Sequence, residues 1–145
     1  MLRDAVAEHN NLVAISVDTK PSDNGGLHAI GYASDYLHLA EWEAGYFSPD
    51  CHPMCKSDRV CMAAKASDGR LFWGCAQAVL SLTAPCRRIF LEQPATHLDE
   101  ALSWPASQVL HPWQLGDNMQ KECSFWLVGL DAIPLAEPNR QGTPD

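Results

Sequence analysis

The sequence predicts an α/β fold with a mostly parallel sheet, and three observations carry that prediction. Leu12-Val13-Ala14-Ile15-Ser16-Val17 is apolar on both faces, as a strand is when helices cover both sides of a parallel sheet. Elsewhere, short apolar runs ended by Asp, Pro or Gly alternate with stretches whose apolar residues recur every three or four positions. Two of those runs end near Cys51 and at Glu92, and the interval between them (92 − 51 = 41 residues) leaves room for the crossover helix that a parallel pair requires. A chain of 145 residues is about one domain, expected here over residues 1–135, with the turn-forming residues 136–145 as a flexible tail.

The elements follow in chain order. Leu2, Ala5, Val6 and His9 fall at helical spacing, and Asn10-Asn11 stops that helix before the first strand. Asp18 closes the strand and opens a loop rich in Pro, Ser, Asp and Gly; ligands bind at such carboxyl ends in open α/β sheets. A second strand ends at Tyr46-Phe47-Ser48-Pro49, just before Cys51. Leu71, Phe72, Cys75, Val79 and Leu82 predict a helix from about Gly69 to Thr83, capped by Asp68 and closed by Pro85. The alternative is a hairpin, with Ser67-Asp68-Gly69 turning between Cys61–Ala66 and Leu71–Cys75. Arg88-Ile89-Phe90-Leu91 is a strand ending at Glu92, since Pro94 prevents direct continuation. Thr96 caps a short helix to Leu102, and Ser124-Phe125-Trp126-Leu127-Val128 is the last strand.

Charge and composition limit the partners. With 10 basic and 18 acidic residues the net charge is −8, the wrong sign for gripping phosphate backbones over a wide face, so any binding to DNA is expected to be weak or local. There is no charged-then-apolar leader and no apolar run approaching 18 residues, which predicts a cytoplasmic chain whose six cysteines are free thiols.

Three stretches carry a resemblance: Arg87-Arg88-Ile89-Phe90-Leu91-Glu92-Gln93-Pro94, Ser107-Gln108-Val109-Leu110-His111-Pro112-Trp113-Gln114-Leu115-Gly116-Asp117, and Lys121-Glu122-Cys123-Ser124-Phe125-Trp126-Leu127. The series resembles the C-terminal half of the compact, phage-type DNA cytosine methyltransferase-like proteins, with their Glu-Asn-Pro, Gln-Pro-Trp-Gln-Phe-Gly and Lys-x-x-Cys-x-Trp-Leu stretches. Upstream, Ser48-Pro49-Asp50-Cys51-His52-Pro53-Met54-Cys55 stands where that family has His-Pro-Pro-Cys-x-x-x-Cys. The resemblance implies a Rossmann-like class I methyltransferase core that uses S-adenosylmethionine. It also implies that the chain begins inside the family's first helix, without the preceding strand and glycine loop, and ends before the closing region. Both ends of the core are thus expected to be truncated, and activity to depend on an intact cofactor site.

By that resemblance Cys51 is the nucleophile and Glu92 the base-recognising acid. A thiolate adding to carbon 6 of cytosine makes carbon 5 nucleophilic, and a carboxyl group at ring nitrogen 3 and the amine favours the addition. Pro49, Gln93 and Pro94 would shape the base pocket, while Asp18 and Asp35 would bind the cofactor. Here the family's Pro-Pro-Cys is Pro-Asp-Cys, and an Asp beside the thiol tends to raise its pKa.

Other readings stay open. Glu92 suits a solvated strand end, Cys51 an inert buried thiol, and Asp18 and Asp35 turn or cap positions. Cys51, His52, Cys55, Cys61 and Cys75 could make a zinc module, although Cys-x3-Cys-x5-Cys is not a standard spacing. A methyltransferase-like domain without catalysis could bind DNA or a protein. A magnesium nuclease would need Asp18, Glu92 and Asp131 to converge.

Overall fold

A computed structural model of the chain describes residues 13–23, 26–55, 62–94, 96–115 and 121–135. The chain divides into two compact units, Met1–Glu41 and Trp42–Asp145. The first unit contains a short parallel pair, β1 (Ser16–Asp18) and β2 (His28–Ile30), followed by two single-turn 3₁₀ segments. The helix expected over Leu2–His9 lies outside the described residues.

The second unit is built on a four-stranded sheet. Its strands are β3 (Trp42–Phe47), β4 (Cys86–Pro94), β5 (Gln108–Leu110) and β6 (Cys123–Val128), arranged in space as β3-β4-β6-β5. Strands β3 and β4 are parallel, whereas β6 runs antiparallel to both β4 and β5. This corrects the expected mostly parallel, Rossmann-like class I methyltransferase core: the chain is a small α/β protein with a mixed sheet and few helices. An apolar run reports that a strand is buried, but its direction is set by the connection that delivers it. The β3–β4 link carries two helices and delivers a parallel neighbour, the β4–β5 link carries a short helix past the place that β6 fills, and the β5–β6 link, with a 3₁₀ turn among its described residues, returns the chain antiparallel.

Helices α1 (Met62–Ser67) and α2 (Arg70–Leu82) occupy that crossover, so the segment is helical and not a hairpin. The N-cap of α2 is Gly69, in the left-handed region (φ 79°) and without a side-chain cap bond, rather than the expected Asp68, whose carboxylate lies one position earlier and accepts the Arg70 amide at 3.1 Å as a turn residue. Gly74, Ala78, Ser81 and Leu82 form the buried stripe of α2, which packs on β4. A short helix, α3 (Leu98–Leu102), follows β4; the Leu98 amide donates to Thr96 Oγ1 at 3.2 Å.

Register explains where the core sits. On one face of the sheet Ile89, Leu91 and Gln93 of β4 lie opposite Val128, Trp126 and Ser124 of β6. Ile89, Leu91 and Trp126 are fully buried there, and the Trp126 indole satisfies its N–H on the Trp104 carbonyl at 3.0 Å. The alternate residues Phe90 and Glu92 lie on the other face, opposite Leu127 and Phe125. That face carries an aromatic row, Tyr46 on Phe90 and Phe90 on Phe125, each pair with ring centres 5.3 Å apart.

Candidate functional site

The end of the sheet beyond β3 gathers the chemistry. Parallel pairing brings Phe47 beside Leu91, so the loop leaving β3 runs past Glu92 and Gln93. Two hydrogen bonds fasten it there: Ser48 Oγ donates to Glu92 Oε2 at 2.9 Å, and Gln93 Nε2 donates to the Pro49 carbonyl at 2.7 Å. Gln93 is almost wholly buried, so its bond to the loop is shielded from water.

Asp50 to Cys55 then form a tight turn. The Cys51 carbonyl accepts the amides of Met54 (3.0 Å) and Cys55 (2.8 Å), placing Cys51 and Cys55 one helical turn apart. Neighbouring elements hold this turn from several sides. Thr96 Oγ1 and the His97 amide donate to the Met54 carbonyl, and the buried Lys65 Nζ of α1 donates to the Cys55 carbonyl at 2.9 Å. Met54 is itself buried against Gly74 of α2, where a β-carbon would lie 2.5 Å from Met54 Cγ. Glycine at 74 is therefore a packing requirement of the turn that carries Cys51.

Glu92 reaches a second set of groups across the sheet. Pro94 pairs with Cys123 in the register, and the Cys123 thiol is hydrogen-bonded to Glu92. The hydroxyls of Tyr46 and Ser48 are also hydrogen-bonded, so Tyr46, Ser48, Glu92 and Cys123 form one polar network. Burial, then the Glu92 charge, raises the Tyr46 pKa; the same two causes, followed by the hydrogen bond to Glu92, raise that of Cys123. Cys51 is raised by burial first, then by Cys55 and Asp50, while the Lys121 ammonium pulls both Cys51 and Cys123 the other way and is outweighed. Lys121 therefore feels both thiols.

Cys123 also lines an open pocket of ≈ 230 Å³, together with Leu110, His111, Pro112, Leu115 and Phe125. His111 stacks on Trp113 with ring centres 6.1 Å apart, and its buried Nδ1 has no hydrogen-bond partner. The pocket thus adjoins the Glu92 network through one shared thiol.

The sequence-predicted residues separate into two groups. Cys51, Glu92, Pro49, Gln93 and Pro94 all belong to this end of the second unit's sheet. Pro94 is the last residue of β4 and is buried, two positions beyond the expected strand end. Asp18 and Asp35 belong to the first unit and serve their own loops. Asp18 Oδ1 accepts the Lys20 amide at 3.0 Å and the Thr19 hydroxyl at 3.4 Å; Asp35 Oδ2 accepts the Tyr32 amide at 3.2 Å. Among the described residues one trio of metal-ligating side chains converges, Asp50, Cys51 and His52; Glu92 and Asp131 belong to no such group. Cys75 lies on α2, and Cys61 lies outside the described residues.

Sequence reasoning did not single out Ser48, Tyr46, Lys121 or Cys123 as site residues. Their place depends on register across three strands, and the available signal was the Lys121-Glu122-Cys123 approach to β6. No family model matches this chain, and no curated protein or solved structure matches it either. No helix among the described residues is long and apolar enough to cross a membrane.

Proposed function

We propose that the chain is a DNA cytosine methyltransferase-like protein, with Cys51 as nucleophile and Glu92 as the acid that recognises the base. The observation carrying this reading is the pair of hydrogen bonds, Ser48 to Glu92 and Gln93 to Pro49, that clamps the cysteine loop against the glutamate strand. A thiol and a carboxyl group at the ends of adjacent parallel strands suit a planar ring held between them, the thiolate adding at carbon 6 and the carboxyl group protonating nitrogen 3. The mixed sheet does not oppose it, because chemistry resides in sites and not in fold classes. Cys123 adjoins Glu92, and the neighbouring pocket offers apolar walls to a base. Duplex substrate would have to extrude that base first.

S-adenosylmethionine would supply the methyl group as an electrophilic carbon. Asp18 and Asp35 have acceptor chemistry suited to ribose hydroxyls and an adenine amine, although each commits one oxygen to its own turn. Cytoplasmic location belongs to the same proposal.

A second reading, a binding domain without catalysis, is favoured by the raised Cys51 pKa, which lowers the thiolate fraction at neutral pH. Calorimetry with S-adenosylmethionine and transfer of labelled methyl to cytosine-containing DNA separate the two. The enzyme reading expects micromolar binding, about −8 kcal/mol, weakened by Asp18→Ala, and transfer lost in Cys51→Ser. Absence of cofactor binding, or transfer that survives Cys51→Ser, would refute it.

A further inference from the structure

We propose that Asp50, Cys51 and His52 form a binding site for a borderline-soft divalent cation of the zinc class, with water completing the coordination. The carboxylate, thiol and imidazole ligand atoms of the trio all lie within 4.8 Å of one another. Around tetrahedral zinc, with bonds of about 2.0 to 2.3 Å, neighbouring ligand atoms are roughly 3.3 to 3.8 Å apart, so side-chain adjustments of about 1 Å, with the Asp50–His52 pair opening slightly, bring the three atoms onto one ion. Asp50 and His52 are exposed and have room for that movement.

The trio is already arranged without metal. His52 Nδ1 and Asp50 Oδ1 lie 2.7 Å apart, within hydrogen-bond distance, and the His52 amide also donates to Asp50 Oδ1 at 3.1 Å. A cation entering between them takes the place of that contact, and the carboxylate charge favours it. One thiolate, one imidazole and one carboxylate match the ligand preference of zinc and of cobalt(II) but not of magnesium or calcium.

Rigidity is the second argument. The turn bearing these donors is anchored through Gln93, Thr96, His97 and Lys65, so the backbone loses little freedom when a metal binds. Binding must expel the proton of the Cys51 thiol, and affinity should therefore rise with pH. A metal-bound Cys51 cannot add to a ring, so the occupied state is closed to the chemistry proposed above. The site does not depend on that chemistry.

The test is titration of the full, chelator-stripped chain with cobalt(II), followed by zinc displacement. The expected result is a saturable thiolate-to-cobalt charge-transfer band, abolished by Cys51→Ser and weakened at least about tenfold in affinity by His52→Ala. Cys75→Ser and Cys86→Ser should leave it intact. The His52 side chain is 88% exposed, so its replacement spares the fold and a null effect is informative. Absence of the band, its survival in Cys51→Ser, or indifference to His52→Ala would overturn the site whether or not methyl transfer is ever observed.

Discussion

The loop that carries Cys51 and the loops that carry Asp18 and Asp35 are built by different means. The first is held by residues far away in sequence: Glu92, Gln93, Thr96 and Lys65 all bond to it. The carboxylates of Asp18 and Asp35 instead accept amides only two or three residues away. Long-range anchoring fixes a side chain relative to other elements, whereas an Asx turn fixes only its own loop. The structure therefore fixes the Cys51 turn relative to Glu92 and Gln93 and holds each of the two aspartates by bonds within its own loop.

The comparison breaks first if the base of the anchored loop is removed. Leu91 is fully buried beneath Glu92, and Leu91→Ala should destabilise the protein by about 2–5 kcal/mol in a urea titration. Gly74→Ala drives a methyl group into Met54 and should cost about 1–3 kcal/mol while speeding alkylation of Cys51 as its turn loosens. Gln93→Ala leaves the Pro49 carbonyl without its buried donor, with an expected loss of about 1–3 kcal/mol. Asp18→Ala removes a surface turn contact and should shift stability by no more than about 0.5 kcal/mol. A loss at Asp18 as large as that at Gln93 would erase the distinction.

Alkaline pH sharpens the same contrast. Cys51, Cys75, Cys86 and Cys123 are all raised, with burial the leading cause. The folded chain holds these protons more tightly than the unfolded chain. Their contribution to stability is therefore complete below the ordinary thiol pKa and declines as pH rises through the raised values. Urea midpoints should fall between neutral pH and a pH of about 10, and less so after Cys123→Ser.

Much of the second unit was legible because its signals are periodic. The three- and four-residue spacing of Leu71 to Leu82, between Asp68 and Pro85, marked α2 within a residue at each end. Ile89 to Leu91 and Ser124 to Val128 marked β4 and β6 as apolar runs. Strand direction was not encoded in that apolarity, which is why the expected parallel sheet gave way to a mixed one. Strand β5 is too short, at three residues, to show a pattern. Cys51 and Glu92 drew notice as strand-end residues, but Cys123 came beside Glu92 only through the pairing of β4 with β6.

The position of β6 has a consequence for how the protein is made. This strand lies between β4 and β5, yet it is the last of the four to be synthesised. While the chain is still growing, β3 and β4 can pair through their helical crossover, but β5 has no neighbour to join and one edge of β4 stays open. Insertion of Cys123–Val128 closes both gaps in one event, covers Leu91 with Trp126 and brings Cys123 to Glu92. The contact of Cys123 with Glu92 thus forms only when β6 takes its place in the centre of the sheet.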